Sequence, residues 1–163
     1  MSELIENIKI LREVTGAGFL DCKNALNENL NNIDKSIDFL RKKGLVKATK
    51  KSSRVANEGA VGIYNNEKVT LLIEINTETD FAAKNDVFLN FIDMIGEYAL
   101  NTNNHNLTIE EFNNISFNNR KISELFTDII GKIGENIILN KLILIENNPN
   151  KLISYYIHNS YRK

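Results

Sequence analysis

The residues able to do chemistry are few and scattered. Histidine occurs twice, at His105 and His158. His105 sits in the polar run "NTNNHN" and reads as solvated surface. His158 closes an apolar run, where it suits either a contact residue or the plain end of a strand. Cys22 is the single cysteine, so no disulfide forms within the chain and no cysteine cluster holds a metal. No spacing of His, Cys, Asp and Glu fits a metal site. "TGAG" at residues 15–18 lacks the Gly-Lys-Ser/Thr ending of a phosphate loop and follows a helical stretch, not a strand. The acids fall on solvated helix faces. With no nucleophile, base and orienting group in one place, the sequence reads as a protein without catalytic residues, bound metal or cofactor.

One stretch stands apart. "INTETDFAAKND", residues 75–86, passes from an alternating strand pattern into a helix start and puts a phenylalanine beside an acid at the junction. Thr79 or Asp80 can accept hydrogen bonds from the free N–H groups of the next turn, and such a cap fixes the direction of Phe81. Phe81 then either packs on its own core, the reading that spacing slightly favours, or stands out as a rigidly mounted ring for a partner. Burying that ring against a partner would contribute ~1.5–3 kcal/mol.

The elements around this stretch follow from periodicity. Leu4, Ile8 and Leu11, with Ile5 widening the stripe, predict a first helix that Ser2 caps. The glycines of "TGAG" break it. A second helix covers about 20–29 with Ala25 and Leu26 inward. A third carries Ile33, Ile37 and Leu40, with Asp34 at its start and Gly44 as its C-terminal cap. "LVKATKKSSRVANEG" then reads as a basic connector. From Arg41 to Arg54 there are seven cations, Lys42, Lys43, Lys47, Lys50 and Lys51 among them, and no acid follows Asp38 until Glu58. No aromatic is interleaved for base stacking, so a solvated linker is the plainer reading and RNA-phosphate binding the alternative.

Beyond it the period changes to two. Residues 59–64 and 69–77 predict a hairpin turning over "NNEK". A helix over 86–100 presents Val87, Phe88, Phe91, Ile92, Ile95 and Tyr98. Thr108 and Glu111 have capping-box spacing, another helix covers 122–133, and "NIILNKLILIE" and "LISYYIH" predict a closing hairpin. The fold class is therefore α+β: a small three-helix bundle over residues 1–54 with the basic linker, then a core of antiparallel hairpins packed with helices over 55–163. Overall usage, 42% apolar and 25% charged with a net charge of -1, is ordinary for a globular chain and signals neither nucleic acid nor membrane. No run is long enough to span a bilayer, and the opening residues lack a signal-peptide pattern.

These segments together resemble the translation elongation factor Ts family. "LREVTGAGFLDCKNAL" resembles its amino-terminal signature, "KATKKSSRVANEGAVG" its next block and "ETDFAAKNDVF" its second signature, with "KIGENIILNK" and "YIH" following in family order. The resemblance implies that the bundle is ubiquitin-associated-like. It implies guanine-nucleotide exchange on the elongation factor Tu GTPase, bound in its GDP-loaded and nucleotide-free states, with no enzyme chemistry of the factor's own. Asp80 and Phe81, flanked by Thr79 and Ala82, fall where the family enters the GTPase domain near Mg²⁺ and the phosphates. Arg12, Phe19 and Leu20 fall where the small bundle touches that domain, and His158 at a further contact. The implied location is the cytoplasm, or an organelle stroma or matrix. The alternative reading is a small RNA- or ribosome-associated binding protein using the basic linker. Three departures stand out: Ala82 replaces the usual valine, Asn140 replaces a common arginine and so removes a core charge pair, and the chain ends at Lys163 where the family continues into further strands, helices and a dimerisation element. Homodimer formation is left open by this last difference.

Overall fold

In a computed structural model, residues 3–102, 104–158 and 160 are described. The chain divides into two compact units. The first holds residues 1–54 with 124–136, and the second residues 55–123 with 137–163.

In the first unit, α1 (Glu3–Thr15), α2 (Phe19–Glu28) and α3 (Ile33–Lys51) pack as a bundle. Its core is Ile8, Leu11, Cys22, Ala25, Leu26 and Leu40, with Leu4, Ile33 and Ile37 partly buried against it. Ile5, expected to widen the stripe, is exposed. Ser2, expected as the cap of α1, lies outside the described residues. The Asn32 side chain caps α3 by accepting from the Lys35 N–H at 2.9 Å.

Gly44 does not end the third helix, and the basic stretch after it is not an extended linker: α3 continues through it to Lys51. A helical glycine costs about 1 kcal/mol relative to alanine, and contacts on either side offset this. Lys43 and Lys47, one turn apart, both donate to Asp21 of α2, at 2.8 and 3.0 Å. Those two hydrogen bonds hold the Asp21 carboxyl below the usual aspartate range. Its contribution is therefore present above the unfolded value of about 3.9 and is lost as pH falls through the lower folded value. Asp21→Asn is expected to cost about 1 kcal/mol at neutral pH. In urea titrations the gap between the two proteins should hold at pH 6–8 and close in acid below about pH 4. An equal gap at every pH would show that the ion pairs contribute nothing.

In the second unit, β1 (Glu58–Asn65), β2 (Val69–Thr77) and β5 (Ile138–Glu146) form an antiparallel sheet in the order β1-β2-β5. Val69, Leu71, Ile73 and Ile75 on the central strand are buried, as their alternation requires. The long helix α5 (Asp86–Leu100) packs on β1 and β2, burying Phe88, Leu89, Phe91, Ile92, Ile95 and Ala99. Val87, expected on that face, is exposed. The short α6 (Ile109–Asn114) carries the full capping box between Thr108 and Glu111. A small hairpin of β3 (Ser116–Phe117) and β4 (Arg120–Lys121) turns over Asn118 and Asn119, both with positive φ, the asparagine-tolerant geometry of a tight two-residue turn. Between α6 and β5 in sequence lies α7 (Ile122–Ile133), most of which belongs to the first unit.

Residues 152–158 form no strand, so the closing hairpin is absent. The chain leaves β5 through Asn147, whose N–H donates to the Lys68 carbonyl at 2.7 Å, whose Nδ2 donates to the Asn66 carbonyl at 2.8 Å, and whose Oδ1 accepts from Thr70 at 2.8 Å. The chain leaving β5 is thus fastened to the β1–β2 turn and carried across the sheet end instead of back along β5. His105 is not simply solvated, since its Nδ1 lies 3.2 Å from Glu146 Oε1. Asn140 supplies no charge of its own, but it donates to Glu74 at 2.7 Å, and the neighbouring Lys141 Nζ lies 2.9 Å from the same carboxylate; together they hold Glu74 below its usual range.

Candidate functional site

The junction after β2 contains two helix starts in succession. Thr79, in extended geometry, accepts the Ala82 N–H on its hydroxyl at 3.3 Å and opens α4 (Asp80–Ala83). Of the two candidate caps, Thr79 is the one used. Asn85 then accepts the Val87 N–H at 2.8 Å and opens α5. Short capped turns of this kind have little freedom, because each end satisfies backbone donors that would otherwise need water.

Within that turn the side chains part sharply. Ala82 and Ala83 are buried, and α4 packs on β1 and β2. Phe81 is 82% exposed. The own-core reading that spacing slightly favoured is overturned: the ring stands in solvent, and its two neighbours anchor the turn beneath it. The physical reason is the length of α4. A single turn has one inward face, and the two small alanines fill it. Ala82 is therefore placed as a mount for Phe81 and not as an outward contact.

Asp80 precedes the ring. Its carboxylate lies 2.8 Å from Lys84 Nζ one turn on, with both side chains about half exposed. That hydrogen bond, more than any other influence, holds the Asp80 carboxyl below the usual range. The motif thus presents an anion and an apolar ring from consecutive residues.

The first unit has its own apolar end. Phe19 is 52% and Leu20 68% exposed at the start of α2, where Gly18 provides no side-chain cap. Arg12 is exposed at the end of α1. Val14, which sequence reasoning did not single out, is exposed on the same helix; its place outside the Leu4–Ile8–Leu11 stripe was the available signal. His158 is exposed, and its Nδ1 lies 3.3 Å from the Tyr156 hydroxyl.

Among the described residues no group of His, Cys, Asp or Glu is arranged to hold a metal, and no helix is long and apolar enough to cross a membrane. The basic run is partly committed to its own protein. Lys43 and Lys47 bind Asp21, and Lys51 donates to the Gly134 carbonyl. Cys22 is buried, and burial pushes its thiol up, away from the reactive thiolate.

Comparison with known proteins bears on the same segments. A family described as elongation factor TS matches residues 78–163, just over half of the chain, beginning at the junction just described. The chain is 40% identical over 153 residues to elongation factor Ts of Rhodopseudomonas palustris (strain BisA53), covering 93% of this chain and 48% of that protein. It is 39% identical over 158 residues to elongation factor Ts of Campylobacter fetus subsp. fetus (strain 82-40), covering 95% and 44%. With elongation factor Ts of Deinococcus deserti it shares 37% over 157 residues, covering 96% and 58%. The chain spans about half the length of the curated relatives it matches.

Proposed function

The chain belongs to the elongation factor Ts family, and from that premise we propose that it promotes GDP release from the elongation factor Tu GTPase during translation elongation. The observation that carries this reading is the exposed ring of Phe81 on a capped turn whose next two residues are buried.

The physics needs no bond chemistry. A GTPase holds its nucleotide mainly through Mg²⁺ and donors around the phosphates. A partner that binds the emptied form more tightly than the loaded one must weaken nucleotide binding by the same factor. Such a partner needs a rigid group that fits one arrangement of a bistable pocket and not the other. Phe81 is mounted to be that group. Asp80, ionised beside Lys84, competes for donors or water near the cation, and Thr79 and Ala82 hold the pair in place. In the division we propose, residues 1–54 contact the GTPase through Arg12, Phe19 and Leu20, residues 55–163 carry the wedge, and His158 adds a further contact. This role places the protein in the cytoplasm or an organelle stroma or matrix.

Retention of the chain on immobilised elongation factor Tu tests the reading. The GTPase stripped of nucleotide is expected to retain more chain than the GDP-loaded form, and added GTP should release it. No retention in any nucleotide state would overturn the proposal. Steeply salt-dependent RNA binding that ignores Phe81→Ala would instead favour the basic face of α3 as the working surface.

A further inference from the structure

We propose that the open edge of β1 is the docking site of the chain's own residues 152–158, which join it as a fourth, antiparallel strand. Among the described residues β1 has a sheet neighbour, β2, on one side only. An open edge of this kind is a template for another strand unless something blocks it. Gly59, Ala60 and Gly62 are small enough for a second backbone to approach. The largest side chain, Tyr64, is drawn aside: its hydroxyl donates to Asp93 at 2.7 Å. A Cβ on Gly62 or on Gly96 would overlap its ring, at 2.5 and 2.4 Å.

The segment is already delivered to that edge. Asn147, tied to the β1–β2 turn, sends the chain to the end of the sheet where β1 finishes. Ile153 and Tyr155 there share a small hollow with Asn65, the last residue of β1. Farther along, Ile157 and His158 face β1 across a groove of about 570 Å³. The segment therefore runs opposite to β1, the direction an antiparallel pair requires.

Its side chains already alternate. Ile153, Tyr155 and Ile157 are 38%, 58% and 46% exposed, against 94% for Leu152 and 84% for Tyr156. These three less exposed apolar residues line the hollow and the groove, where His158 sits beside Ile157, and their spacing is the period-two division of a strand about to cover one face. A partner's strand or a second copy would have to displace a segment tethered beside the site, which gives the chain's own residues the advantage of high effective concentration.

Amide hydrogen exchange on the whole chain tests this without reference to any GTPase. In an antiparallel edge strand alternate N–H groups point away from the sheet. In the wild type those outward amides of β1 are expected to exchange about tenfold slower than free amides, the factor for a closed form outweighing the open one ten to one. Ile157→Pro, which removes a donor and restricts the backbone, should abolish that slowing while the amides of β2 keep theirs. Outward β1 amides exchanging at the free rate in the wild type would overturn the proposal, and this needs no variant to fold. Slowing that appears only as protein concentration rises would overturn it too, by assigning the edge to a second copy.

Discussion

Phe81→Ala is expected to reduce the chain's acceleration of GDP release from elongation factor Tu by about one to two decades while leaving its own unfolding midpoint almost unmoved. The two halves of this result come from the same geometry. Because the ring is 82% exposed, removing it deletes little from the chain's own core. If it is buried in the GTPase, the loss is the transfer free energy of an aromatic side chain, ~1.5–3 kcal/mol, which is one to two decades in an equilibrium constant. Urea titration and stopped-flow release of a fluorescent GDP analogue separate the two. A variant that is destabilised in step with its loss of exchange would mean that Phe81 supports the fold instead of reaching a partner.

Phe88→Ala should give the reverse. This ring belongs to the same signature but is fully buried on α5, which packs on β1 and β2. Truncation removes its contacts and leaves a cavity, at a cost of about 3–5 kcal/mol. Small domains are stable by roughly 5–15 kcal/mol, so the urea midpoint of the second unit should fall sharply, and much of the chain should be unfolded at elevated temperature. Any loss of exchange in this variant should follow the unfolded fraction and recover under conditions that restore the fold. A midpoint within experimental scatter of the wild type would contradict the packing described for α5.

Much of this contrast was legible in the chain, and some was not. The alternation of β2, the span of α5 and the capping box at Thr108 are local patterns with local causes, and the structure has each of them. The tight turn at Asn118–Asn119 was equally local but lay in a run so rich in asparagine that its two turn residues did not stand out. Gly44 misled because a cap signal is a local preference of about 1 kcal/mol, whereas the grip of Asp21 on Lys43 and Lys47 is tertiary. The closing hairpin misled for the same reason: residues 152–158 have strand composition, but the chain before them is tied through Asn147 to the β1–β2 turn, a tertiary contact that composition does not reveal. Phe81 was ambiguous in sequence because the cap fixes only its direction, and the direction of the core is known only once Ala82 and Ala83 have filled it. The role proposed for it toward a partner comes from the resemblance of the whole signature, and not from spacing.

Whether the chain opens the GTPase's nucleotide pocket is read from the release of a fluorescent GDP analogue by preloaded elongation factor Tu as the wild-type chain is titrated in. The release rate is expected to climb with added chain and to level off once the GTPase is saturated. A folded chain that is retained by the GTPase yet leaves release at its spontaneous rate would contradict it.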